Sequence, residues 1–248
     1  MMGREEMLQR LALCSKTLFL SSNIMEQAKA KATPRQAEFL LEVLEAELEL
    51  REERKRAALL KRSRLPMIKS LEDYDWSNIR LPQGVTIDSL CQCAFVMQKR
   101  NLVLYGSVGT GKTHLAMALG LLACEQGLEV RFYSVAGVAL KMAEALKLGT
   151  LESFMKDIRK ADLLILDEWG YLPLDRESAQ LLFRLVAESY EQRSIVLTTN
   201  LEFSKWGGIF MDDQMTAAII DRLAHHGHLV VFEGESYRMK HALMKQRA

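Results

Sequence analysis

The tightest constraint on this chain is the segment Gly106-Ser-Val-Gly-Thr-Gly-Lys-Thr113, which follows the apolar run Asn101 to Tyr105 and opens a helix-forming stretch. A glycine-rich loop between a strand and a helix converges backbone amides on one point, and the first-turn amides of the helix add to them. The strand feeding such a loop must lie inside a sheet, with the loop at its C-terminal edge. Downstream, short β-rich runs alternate with helical patterns, which predicts an α/β fold with a five-stranded parallel sheet and crossover helices. The expected strands are 101–105, 129–134, 163–167, 194–199 and 229–232, with helices near 112–126, 136–148, 151–160, 176–192 and 212–226. Gly127, Gly149 and Gly227 stand where C-terminal caps belong.

The chemistry follows from residue types in this frame. The glycines permit close backbone approach, Lys112 is placed to reach β and γ phosphates, and the Thr113 hydroxyl is a ligand for Mg²⁺. Gly106, Ser107, Val108, Gly109, Thr110, Gly111, Lys112, Thr113 and His114 are the expected nucleotide-binding run, with ATP and Mg²⁺ as cofactors. The apolar run Leu163 to Leu166 reads as a buried central strand that delivers Asp167 and Glu168 beside the loop. Asp167 is then the metal-holding acid and Glu168 the base that polarises water, a pairing that favours hydrolysis over transfer to a small-molecule acceptor. Asn200, at the end of the next strand, either orients water or touches the γ phosphate, or ends its strand for turn reasons. Arg222 either neutralises phosphate charge in a neighbouring subunit or pairs on the surface, for instance with Asp221.

The first 66 residues carry no catalytic signature and read as a small helical domain, with the boundary at Pro66 and a second domain over 67–248. Thr33-Pro-Arg-Gln36 has a capping-box pattern, and Ala37, Leu40, Leu41, Leu44 and Leu48 then recur on one helical face. Residues 1 to 66 hold 13 Lys and Arg against 10 Asp and Glu, while the whole chain is only +1, so any nucleic-acid surface must be local. The basic stretch after Glu53 offers Arg54, Lys55, Arg56, Lys61, Arg62 and Arg64 to DNA phosphates, although Glu47–Arg51 and Glu52–Arg56 are also spaced for helix-stabilising pairs. The four cysteines lack zinc-ligand spacing and read as reduced, buried thiols. The acidic N-terminus and the short apolar runs argue against a signal peptide or a membrane span, which leads us to expect a cytoplasmic protein. Trp206 is expected either as an interface anchor or in a core or loop-packing role, and His225, His226 and His228 lack a metal-site spacing.

Taken together, GSVGTGKTHLA (106–116), ADLLILDEWGYLPLD (161–175), the TTN strand end (198–200), FSKWGGIF (203–210), DRLAHHGHLVVF (221–232) and ESYR (235–238) resemble the IstB family of transposition helpers. These are bacterial AAA+ P-loop ATPases related to the helicase loader DnaC. The resemblance implies an ATP-dependent homo-oligomer on duplex DNA, with the ATP site at the subunit interface, assisting a partner transposase in target choice. It implies that Asn200 is the sensor 1 residue and Arg222 a finger acting in trans. It also makes Lys147, Lys156, Arg159 and Lys160 DNA-contact candidates, because related loaders insert helical structure there. Arg238 matches a family motif without an assigned role, and no substantial C-terminal lid is expected. The alternatives are a replicative helicase loader, a nucleotide-gated DNA-binding scaffold with little turnover, and a small-molecule kinase, for which no acceptor pocket is evident.

Overall fold

The computed structural model describes residues 3–171 and 174–240 of the chain and divides into two compact units, 1–58 and 59–248. The first unit contains α1 (Arg4–Thr17), α2 (Ser22–Lys31) and most of α3 (Pro34–Ser63). The capping box forms as the sequence predicts: Thr33 N–H donates to Gln36 Oε1 (2.9 Å) and Gln36 N–H donates to Thr33 Oγ1 (3.4 Å). The predicted stripe is the buried one, with Ala37, Leu41 and Leu44 packed against Met7, Leu11, Cys14 and Leu18. Outside the stripe, Glu47–Arg51 (2.6 Å) and Glu52–Arg56 (3.3 Å) pair along the exposed face.

The second unit starts within α3, not after Pro66. Leu59 is 2 % exposed and belongs to the core formed by Leu102, Leu104, Leu115 and Leu119. Its remaining elements are β1 (Ile79–Arg80), α4 (Ile87–Cys91), α5 (Ala94–Met97), β2 (Asn101–Gly106), α6 (Lys112–Glu125), β3 (Val130–Ser134), α7 (Val135–Lys147) and α8 (Leu151–Arg159). These are followed by β4 (Leu163–Trp169), α9 (Arg176–Ser189), β5 (Ser194–Thr199), α10 (Gly207–Phe210), α11 (Asp213–His225), β6 (Gly227–Phe232) and α12 (Tyr237–Lys240).

The sheet order is β1-β6-β2-β5-β4-β3, with five parallel strands and β1 antiparallel at the edge. The edge strand was not legible in sequence because two residues carry no alternation. Both faces of the parallel strands are buried, as near-continuous apolar runs require. Leu102 and Leu104 face α6, whereas Val103 faces the layer built by α7, α8, α9 and α11. Gly127 (φ +85°) and Gly149 (φ +68°) are left-handed caps as expected. Gly227 instead begins β6, and a side chain there would collide with the Leu223 carbonyl.

The strands are pinned at their N-terminal ends by Asn101, which is 6 % exposed. Its Oδ1 accepts from Ile195 N–H (2.9 Å), and its Nδ2 donates to the carbonyls of Arg222 and Leu223 (both 3.4 Å). Among the described residues no helix is long and apolar enough to cross a membrane.

Because Leu59 completes the core under α6, Leu59→Ala should cost about 2–4 kcal/mol of unfolding free energy. Urea denaturation followed by tryptophan fluorescence reads this directly, since Trp76, Trp169 and Trp206 all lie in the second unit. An unchanged midpoint would mean that the unit does not depend on α3.

Candidate functional site

The loop between β2 and α6 is held by its own backbone and by two flanking segments. Gly111, the N-cap of α6, has φ +102°, and a Cβ there would lie 3.0 Å from the Tyr74 hydroxyl. A side chain at Gly106 would strike the Phe232 carbonyl of the adjacent β6. Tyr74 Oη donates to the Gly111 carbonyl (3.1 Å), and Tyr74 stacks near Trp76 and His114. Tyr237 N–H donates to the Gly109 carbonyl (3.0 Å), so the segment after β6 also rests on the loop. Thr110 Oγ1 closes the turn onto the Ser107 carbonyl (2.8 Å), while Val108 is exposed at the tip. His114 points outward, with Nε2 2.8 Å from the Ser70 carbonyl, so it braces the loop's outer wall.

Lys112 is nearly buried, and its Nζ donates to the carbonyls of Gly106 (2.8 Å) and Ser107 (2.6 Å). Those bonds hold the ammonium across the loop mouth. Burial pulls its pKa down to about 8; Asp167 opposes the shift and Arg238 adds to it. Arg238, to which the sequence assigned no role, therefore places a second cation beside the phosphate loop.

Asp167 is 6 % exposed, and its Oδ1 accepts the Thr113 hydroxyl at 2.9 Å and also the Thr198 hydroxyl. Its Oδ2 has no hydrogen-bond partner among the described residues. A hydroxyl and a carboxylate in contact, with one carboxylate oxygen to spare, form an all-oxygen donor set suited to a hard cation such as Mg²⁺. Thr113 and Asp167 are the residues that would hold it.

Glu168 departs from regular strand geometry. Leu166 pairs with Leu197 and Trp169 with Thr199, so Asp167 and Glu168 together face Thr198, a β-bulge. Glu168 sits at φ +62°, which costs a non-glycine residue about 1–2 kcal/mol. The bulge turns the Glu168 side chain out of the strand into solvent while Asp167 stays inside. The two acids thus leave one strand end with different environments.

Asn200 follows β5 and is exposed next to Thr199, whose partner across the sheet is Tyr105, one residue before Gly106. Arg222 lies elsewhere. Its carbonyl is bonded at the start of β2, and five residues of strand at about 3.3 Å each put that point roughly 16 Å from Gly106. Its guanidinium stacks 5.4 Å from the Phe183 ring and donates to the Ala218 carbonyl (2.8 Å); among the described residues it has no carboxylate partner, Asp221 included. Arg222 is too far from its own phosphate loop to serve it.

Trp206 is fully buried, packed 5.1 Å from Trp169, so it is core and not an interface anchor. The three histidines each have a separate partner: Tyr190 for His225, Glu191 for His226 and Arg100 for His228. Of the basic candidates, Arg62 pairs with Glu129 (2.6 Å), and Arg64 bonds Tyr133 (2.7 Å) beside Asp157. Arg159 is held by Glu152 (2.6 Å) and Glu188 (3.0 Å), and Arg56 by Glu52. Arg54, Lys55, Lys61, Lys147, Lys156 and Lys160 are exposed.

Residues 9–245 match the model of the family described as IstB-like ATP binding protein. A Pseudomonas aeruginosa protein described as an ATP-binding protein of insertion sequence IS21 is 39% identical over 95% of this chain and 88% of its own length. An insertion sequence IS5376 counterpart from Geobacillus stearothermophilus is 35% identical over 85% and 84% of the two chains. Among solved structures, AMPPCP-bound DnaA from Aquifex aeolicus superposes with a TM-score of 0.51 at 27% identity, covering 64% of this chain and 48% of that one. The DnaC helicase loader shares the fold, with a TM-score of 0.53 at 20% identity over 66% and 96%. These neighbours are AAA+ P-loop proteins, as the sequence led us to expect.

The lowered pKa of Lys112 makes nucleotide binding pH-dependent. In the free protein Lys112 loses its proton as pH rises through about 8, whereas phosphates stabilise the charged form. Affinity for Mg-ATP should therefore fall as pH rises above that value, and binding at about pH 8.5 should take up a proton. Calorimetry in two buffers of different ionisation heat measures the uptake, and identical heats would show no such linkage.

Proposed function

We propose, on the premise that this chain belongs to the IstB-like ATP-binding protein family, that it hydrolyses ATP, assembles on duplex DNA and helps a partner transposase select its target. The observation that carries this reading is the grouping of Lys112, Thr113, Asp167 and Glu168 around the ends of two strands of one sheet. The relatives' descriptions, which place them in insertion sequences, support the transposition context.

The loop amides and Lys112 seat the phosphates, and Lys112 neutralises charge on the β and γ groups. Thr113 and Asp167 would hold Mg²⁺, which when bound would supply charge neutralisation at the phosphate oxygens. Glu168 takes the proton of a water whose oxygen attacks the γ phosphorus; the bond to the β–γ bridging oxygen breaks and ADP leaves. Asn200, at the neighbouring strand end, holds that water or a γ oxygen. Arg222 has no ion-pair partner among the described residues and lies far from its own loop, which suits it to the phosphates of an adjacent subunit. A site completed by a neighbour makes hydrolysis depend on assembly. Assembly on DNA would draw on the exposed lysines of α7 and α8, Lys147 and Lys156, with Lys160 after them, and on Arg54, Lys55 and Lys61 of α3. Such contacts read backbone charge and not sequence. The family relationship supports the remaining expectations: a cytoplasmic bacterial protein and a transposase as partner.

Phosphate release by the parent should rise with duplex DNA, alongside a large complex in ATP that sizing resolves from the ADP form. Glu168→Gln should keep Mg-ATP binding and slow release by about 10²-fold or more. Parental turnover by Glu168→Gln would remove it as the base, and a monomer in every condition would remove the assembly.

For Arg222→Ala the expected result is intact nucleotide binding with turnover reduced about 10³-fold. Mixing it with Lys112→Ala, which keeps Arg222 but lacks the phosphate-binding ammonium, should restore part of the activity. No recovery in the mixture would argue against action in trans.

A further inference from the structure

We propose that Thr198 is a positioning residue of the hydrolytic site: its buried hydroxyl locks the bulge that sets Glu168 and Asp167 in their separate orientations. The proposal rests on the reading of Glu168 as the group that activates water.

Thr198 is 2 % exposed and lies opposite the two residues of the bulge. A bulge frees backbone groups from the sheet ladder, and a buried N–H left without an acceptor is destabilising. Here the Glu168 N–H donates to Thr198 Oγ1 at 3.0 Å. The same hydroxyl donates its own proton to Asp167 Oδ1, which also accepts from Thr113. One oxygen therefore accepts from the backbone of one acid and donates to the side chain of the other. Neither bond is available to an apolar residue of the same shape. Thr199 secures the other side of the bulge, with Oγ1 donating to the Trp169 carbonyl (3.0 Å) and accepting from Leu201 N–H (3.0 Å). Thr199 holds the strand beyond the bulge, but among the described residues only Thr198 bonds both acids. The left-handed Glu168 backbone needs such support, since its conformation is unfavourable in isolation.

Thr198→Val removes the hydroxyl at nearly constant volume and leaves a strong strand former in a buried strand, so the sheet survives. Three readouts test the role. ATP affinity measured without Mg²⁺ should stay within about 3-fold of the parent while kcat falls by about 10-fold to 10²-fold, the scale of a small misplacement of a catalytic group. The Mg²⁺ concentration for half-maximal turnover should rise by about 10-fold, as for loss of a hydrogen bond to a metal ligand. The Glu168 amide should exchange with solvent at least about 10-fold faster by NMR, with the amides of Leu164 and Leu166 unchanged, because only its acceptor is gone. Thr198→Ser should restore all three. Parental kcat and parental Glu168 exchange in Thr198→Val would overturn the proposal, as would an equal loss of protection along the whole of β4, which would mark a merely structural role. A parent that binds Mg-ATP but releases no phosphate would overturn the hydrolytic reading together with this one, whereas an active parent with an indifferent Thr198→Val removes only the positioning role.

Discussion

One carboxylate oxygen, Oδ1 of Asp167, receives hydroxyls from two other elements: Thr113 on α6 and Thr198 on β5. The helix that closes the phosphate loop, the strand that carries the acids and the strand that leads to Asn200 converge on that atom. In a buried setting such bonds are expensive to leave unmade, so the three elements hold each other in register. The cradle formed by Gly106 to Thr113, the bulge at Glu168 and the donor set for a cation all depend on this convergence.

Much of this was legible in the sequence because it is local. The phosphate loop announces itself by residue type and order, and the five parallel strands by apolar runs between turn residues, so each strand falls within two residues of its expected limits. What escaped is what depends on partners distant in sequence. The bulge at Glu168 is one extra residue in β4 relative to β5, and nothing within ADLLILDEWG marks it. For Trp206, flanked by Lys205 and Gly207, the sequence leaves core, loop and interface roles open, and only Trp169 on β4, packed against it, decides for the core. Leu59 lies in a charged stretch whose composition suggests solvent, yet the core under α6 claims it. Gly227 has the right place for a helix cap, but its small size answers to the Leu223 carbonyl.

The basic stretch after Glu53 shows how charge in a sequence overstates free charge on a surface. Arg56, Arg62 and Arg64 all have acidic neighbours in the folded chain, and Arg159 sits in a network with Glu152, Glu188 and Arg184. Buried Arg131, bonded to Asp157 and Glu129, uses the same acids to support the sheet edge. Exposed pairs of this kind add little stability, but they do subtract cations from the field a polyanion would meet. Among the described residues Lys55, Lys61, Lys147, Lys156 and Lys160 are exposed and form no ion pair within hydrogen-bonding reach, so they keep theirs.

Asn101 gives β2 a mechanical character. At one end of that strand its amide grips the carbonyls of Arg222 and Leu223; at the other end lies Gly106. A strand laddered to β5 and β6 on both sides neither stretches nor slides, so it acts as a fixed strut between the phosphate loop and the last turn of α11, which carries Arg222. The separation of the loop from Arg222 is therefore set by the length of one strand.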